Sequence, residues 1–264
     1  MESLKHAARE ILRAADPVDK VRLAHELAAA WRSGDLALGD PVDMPARPGR
    51  PERPVLLRPG DMPRRKVGGS LQKRVALLHA LAHIELNAID LAWDIVARFA
   101  GAELPRGFFD DWVTVGDEEA LHFDLISRRL ADLGAAYGDL PAHDGLWRAA
   151  SDTAHDVLAR LAIVPLVLEA RGLDVTPTMI ADLERIGDRE SAAILQRIYD
   201  DEIGHVASGS RWFNAIAGTR GLDATETWQK LVREHFRGSL KKPFNRAARD
   251  QAGLPVDFYE PIAG

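Results

Sequence analysis

The chain has 264 residues, a formal charge of −6 and no cysteine. That length allows a sizeable buried core, the charge disfavours a protein built mainly to bind nucleic acid or a membrane surface, and the missing thiols exclude disulfides, iron–sulfur clusters and cysteine nucleophiles. Any metal has to be held by Asp, Glu and His.

The first segment, residues 1–34, reads as two short helices broken at Asp16-Pro17, with Ile11, Leu12, Val21, Leu23, Leu27 and Trp31 recurring at helical spacing. It is amphipathic and charged throughout, without the apolar centre of a secretion signal, and no apolar run approaches the ~20 residues of a membrane span. A cytoplasmic protein without a membrane partner is expected. Residues 35–69 change character: seven prolines from Pro41 to Pro63 break any helix. Val55, Leu56, Leu57 and Met62 favour an ordered strap over a linker.

Residues 70–218 carry helical periodicity. A first helix over about Leu71–Phe99, ending at Gly101, places Glu85 within an apolar stripe of Leu78, Leu81, Ala82, Ile89, Ala92 and Val96. A second, over about Asp110–Leu133 and closed by Gly134, aligns Glu119 and His122 with Trp112, Val115 and Ile126. A third, over about Asp144–Ala170, carries Glu169; Pro165 should kink it and Gly172 should cap it. Thr176-Pro177 then starts a short helix, and Gly187-Asp188 starts a longer one to about Ala217, with Tyr199, Glu202 and His205 on one face. Residues 219–264 hold one more helix around Trp228–Phe236 and a basic tail. No strand-like alternation of useful length appears, so the expected fold class is all-α.

Glu119–His122 and Glu202–His205 are both Glu-x-x-His pairs, one helical turn apart, so each pair can grip a cation from one helix face. The spacing of the glutamates repeats: 34 positions separate Glu85 from Glu119 and 33 separate Glu169 from Glu202. Two hairpins, each with Glu on one helix and Glu-x-x-His on the next, pair into a four-helix bundle whose core holds four carboxylates and two imidazoles. That is the ligand set of ferritin-like di-iron and di-manganese carboxylate bundles. A lone inward glutamate is more often a salt-bridge partner, and a lone Glu-x-x-His is usually incidental. Four helices with the signature in order reverse that balance, because two divalent cations neutralise carboxylates that are otherwise costly to bury. Hard oxygen donors with one imidazole per ion suit iron, manganese or a mixed pair.

The runs His79-Ala-Leu-Ala-His-Ile-Glu-Leu86, Glu169-Ala-Arg-Gly-Leu-Asp174, Asp201-Glu-Ile-Gly-His-Val206 and Arg211-Trp-Phe213 resemble the ferritin-like family called domain of unknown function 455. Pro48-Gly-Arg-Pro51, Pro63-Arg-Arg-Lys66 and Pro243-Phe-Asn245 resemble its flanking segments, so the likeness spans nearly the whole chain. It implies a ferritin-like four-helix bundle with N-terminal helices, a Pro-rich strap and a C-terminal extension. At the level of fold alone it is analogous to MiaE-type tRNA hydroxylases, which does not fix a substrate. By the ferritin-like pattern Glu119 and Glu202 bridge two ions, Glu85 and Glu169 bind at the ends, and His122 and His205 complete one ion each. Asp201 and Glu118, just before the bridging glutamates, are candidates to orient the histidines. The activity expected is an O2-dependent oxidation of a small molecule or modified nucleoside, with an external electron donor. Iron binding or ferroxidase activity without an organic substrate, and a purely structural metal, are the alternatives.

Other candidates are weaker. Tyr199, one turn before Glu202, suits hydrogen bonding or radical chemistry, although packing is the simpler role. His79 and His83 face away from Glu85 and suit a helix surface or packing on the strap. His155 reads as a core or rim histidine. Arg64, Arg65, Lys66, Lys241, Lys242, Arg246 and Arg249 suggest an RNA patch, but solvated charge is the favoured reading.

Overall fold

The computed structural model describes residues 3–58, 61–62, 68–99 and 104–264. Among them the regular structure is helical, with only three isolated bridges and no sheet. Two compact units divide the chain: Met1–Trp147 with Asp182–Ile194, and Arg148–Ala181 with Leu195–Gly264.

In the first unit, α1 (Leu4–Arg13) and α2 (Pro17–Arg32) are separated by Asp16, whose carboxylate caps α2 by accepting from Val18 N and Asp19 N, with Pro17 at the first turn. α1 packs on α3 (Leu71–Arg98) and α2 on α4 (Arg106–Asp132), while α3 and α4 share the largest contact. Gly116 sets how close those two helices come: a Cβ there would lie 2.6 Å from Trp93 Nε1. α3 also buries polar groups on the side away from α4's glutamate. Lys20, fully buried, donates to Asp90 and to Ile11 O, and Arg50 from the Pro-rich segment joins Asp90 and Asn87. Leaving either member of that buried ion pair alone would be strongly destabilising. Among its described residues the Pro-rich segment forms no helix or strand, but Gly49 N donates to Leu12 O at 2.7 Å and Leu57 N to Ala142 O at 2.8 Å.

α3 is long and apolar enough to cross a membrane by length and composition, unlike the sequence expectation, which the scattered Glu85, Asn87, Asp90 and Asp94 encouraged. Its most apolar window is 67% buried inside the protein, so that surface is used by the core. Gly134 at φ +73° ends α4 in the left-handed conformation only glycine adopts cheaply. The expected stop at Gly101 lies outside the described residues, as do Arg64, Arg65 and Lys66.

The second unit departs further from sequence expectation. The single helix foreseen before Ala170 is three segments: α5 (Gly145–Asp152), α6 (Val157–Ile163) and a π-helical stretch, Val164–Glu169. Arg160, fully buried, bridges the α5–α6 break by donating to Ala150 O at 2.6 Å and Thr153 Oγ1 at 3.0 Å. Pro165 does disturb the helix, as a widened turn, and Trp228 Nε1 on α9 (Ala224–His235) donates to Ala162 O at its start.

Gly172 does not cap, and Pro177 does not begin a helix. α7 (Ala170–Arg185) runs through both. A proline inside a helix costs about 3 kcal/mol and leaves the carbonyl four residues earlier without its helical donor. Here that carbonyl is Leu173 O, and Asn245 Nδ2 supplies the missing bond at 3.1 Å. Arg249, on α10 (Arg246–Gln251), is buried and makes a two-pronged contact with Asp174 at 2.9 and 2.7 Å. α7 therefore tolerates its proline because a distant segment repairs it. Gly187, at φ +81°, separates α7 from α8 (Arg189–Thr219), and α11 (Val256–Tyr259) follows α10.

Candidate metal centre

Glu85 sits midway along α3, and α4 presents Glu119 and His122 on one face, as their three-residue spacing requires. All three are buried, Glu119 and His122 completely. Each offers one ligand atom, and these atoms lie within 4.8 Å of one another. His122 Nδ1 is 3.5 Å from both Glu85 Oε2 and Glu119 Oε2, at the outer limit of hydrogen bonding. Burial first, and then the neighbouring Glu119 carboxylate, push Glu85 up to about 8. Two carboxylates so placed resist joint ionisation, and a divalent cation relieves both causes at once. The donor set of two carboxylates and one imidazole, tightly grouped and out of water, fits a hard or borderline metal ion.

The second unit repeats part of this geometry. On α8, His205 Nδ1 lies 3.6 Å from Glu202 Oε2, with His205 buried and Glu202 half-buried. Both Glu-x-x-His pairs thus turn Nδ1 toward their own glutamate at nearly the same distance. Glu169 closes the π-helical stretch, half-buried. Gly209, four residues after His205, lets α8 lie directly on that stretch: a Cβ would come within 2.5 Å of Pro165 Cβ.

Comparison with known proteins agrees with the residue pattern. Residues 13–260 match the family described as "Protein of unknown function (DUF455)". The chain belongs to that family. A relative from Haemophilus influenzae, described as "Uncharacterized protein", is 44% identical over 209 residues, covering 77% of this chain and 72% of the other. No solved structure matches.

The remaining candidates of this DUF455 protein fall in different places. Asp201 accepts from Arg197 Nε at 2.6 Å, and Glu118 is half-buried on α4. Tyr199 Oη accepts from Asn245 Nδ2 at 3.0 Å. His79 and His83 are buried, not on a helix surface, and both meet the loop after α4. His79 Nε2 accepts from Gly138 N at 3.0 Å, and His83 Nδ1 is 2.9 Å from Tyr137 Oη. Burial above all holds His83 down at about 4. His155 is exposed and meets the His235 ring at a tilt of 51°. Lys242 and Arg246 are exposed and pair with Glu260, whereas Arg249 is buried against Asp174.

Sequence reasoning missed Gly116, although it lies three residues before Glu119 of a Glu-x-x-His pair. Asn245 stood out only as part of Pro243-Phe-Asn245, and nothing in the sequence links it to Pro177.

Proposed function

We propose that this protein is a dinuclear-metal oxidoreductase of the ferritin-like type, with Glu85, Glu119, His122, Glu169, Glu202 and His205 holding two iron ions, or manganese in place of one or both. The observation that carries the reading is the buried Glu85–Glu119–His122 group, whose carboxylates are costly to ionise without a cation. Its echo in Glu202–His205 and Glu169 supports a second ion. When bound, such a pair supplies O2-dependent oxidation chemistry.

The chain's own part is to present donors and to exclude water. Glu85 and Glu119 bring negative charge into an apolar layer between α3 and α4, where an ion's charge is weakly screened. His122 and His205 offer Nδ1, and Asp201 and Glu118 are proposed to orient the imidazoles. Tyr199, one turn before Glu202 on α8, offers a phenol that accepts from Asn245. The substrate is an organic molecule or modified nucleoside, with electrons delivered from outside.

The test is metal content and O2 uptake of protein loaded anaerobically with Fe(II), with Glu119→Ala and Glu202→Ala as controls. About two irons per chain, lost in both controls, with O2 uptake beyond that needed to oxidise the iron once an external reductant is supplied, is expected. Uptake matched by iron oxidation alone identifies a ferroxidase, and a chain that retains no metal sinks the proposal.

A further inference from the structure

The second unit contains a joint that no part of the donor set explains. Asn245 uses every hydrogen-bonding group of its amide. Its Oδ1 accepts from Ala248 N at 3.3 Å, capping α10, while its Nδ2 donates to Leu173 O at 3.1 Å and to Tyr199 Oη at 3.0 Å. Its backbone N–H adds a bond to Asp174 Oδ1 at 2.9 Å. The acceptors belong to two different helices. Leu173 and Asp174 lie on α7, one turn after Glu169, and Tyr199 lies on α8, one turn before Glu202.

Neither acceptor is an ordinary helix surface group. Leu173 O is open because Pro177 has no N–H to give it. Arg249 reinforces the same turn, with its guanidinium on Asp174 and on Ala170 O, the residue after Glu169, at 3.3 Å. The segment therefore grips α7 where the π-helical stretch returns to α-helix, which is the place that sets the direction of Glu169.

We propose that Asn245 is a positioning residue for the second unit's metal donors: its amide spans the α7 carbonyl opened by Pro177 and the Tyr199 hydroxyl on α8, fixing the spacing of the helices that carry Glu169 and Glu202–His205. This rests on the metal reading above. Pro177 is then part of the device, since an unbroken α7 would have no carbonyl to offer. Because Tyr199 Oη accepts from Asn245, the bond also fixes the phenol one turn from Glu202.

The test uses the full chain, Co(II) as probe, and visible absorption to report donor geometry. Asn245→Asp keeps an acceptor for Ala248 N but removes both donated bonds, so it separates positioning from capping. Tyr199→Phe removes a single hydroxyl and guards against a variant that merely fails to fold. Wild-type protein is expected to take up Co(II). Both variants should bind one ion about tenfold more weakly with a shifted band, the usual scale for groups that orient ligands. The double variant should be no weaker than Asn245→Asp alone, since both changes break one connection. Wild-type affinity and band in both single variants overturn the positioning role while leaving the metal reading intact. A wild-type chain that takes up no Co(II) overturns both.

Discussion

Metal-free protein should lose stability as pH rises through the neutral range, and Glu85 should be the cause. Burial and the Glu119 carboxylate raise its folded-state value from 4.5 to about 8. The folded chain therefore holds a proton that the unfolded chain has already released, so unfolding releases a proton between those values. Stability is fully present below the unfolded value and falls by about 1.4 kcal/mol per pH unit until the folded value is reached. Over the whole window that amounts to about 5 kcal/mol, a large share of a typical domain's stability. The assay is urea unfolding with chelator at half-unit steps from pH 5 to 8.5, comparing wild type with Glu85→Gln. Glutamine has nothing to ionise, so the variant's stability should stay flat where the wild type's falls. Added Mn(II) should remove the wild-type slope, since an ion binds the ionised carboxylate. Parallel slopes in wild type and variant would refute the reasoning.

His83 gives the opposite pH dependence: its value is held near 4 by burial, below the usual 6.5, so its contribution is present above pH 6.5 and disappears toward pH 4. Between pH 7 and pH 5 this removes about 2 kcal/mol, and His83→Gln should abolish that loss in urea titrations at the two pH values. Two glycines on α8 should respond oppositely to alanine. Gly204→Ala meets no atom within 4 Å and should raise stability by up to about 1 kcal/mol. Gly209→Ala drives a methyl into Pro165 and should lower it by about 1–2 kcal/mol after the same helical gain; equal urea midpoints would contradict the packing. Lys20→Met strips a buried charge from Asp90 and should cost about 3–5 kcal/mol by denaturant titration. A loss under about 1 kcal/mol would show that Arg50 alone suffices for Asp90.

What could be read from the sequence was what repeats at helical spacing. Glu119 and His122 had to share a face of α4, and Glu85 stood out because its stripe was otherwise apolar. The all-α class followed from the same periodicity. Pro165 announced a disturbance but not its form, since a kink and a π-helical turn both answer the loss of one N–H. Pro177 and Gly172 misled because local propensity says stop, whereas the repair comes from Asn245 and Arg249, 72 and 75 positions beyond the Leu173 and Asp174 they bind. The burial of Lys20 with Asp90 was hidden for a similar reason. Either residue alone looks like part of a solvated face, and only tertiary pairing makes both buried.

That long-range repair orders events during synthesis. α7 leaves the ribosome with Leu173 O lacking its helical donor and the Asp174 carboxylate without Arg249, and both stay so until 72 and 75 further residues respectively have been added. The π-helical stretch and its glutamate are translated early but acquire their lock last, so the second unit matures only after chain growth has passed Arg249. A message cut short before codon 245 therefore leaves a chain whose first unit still has all its internal partners and whose second has lost the clasp on α7.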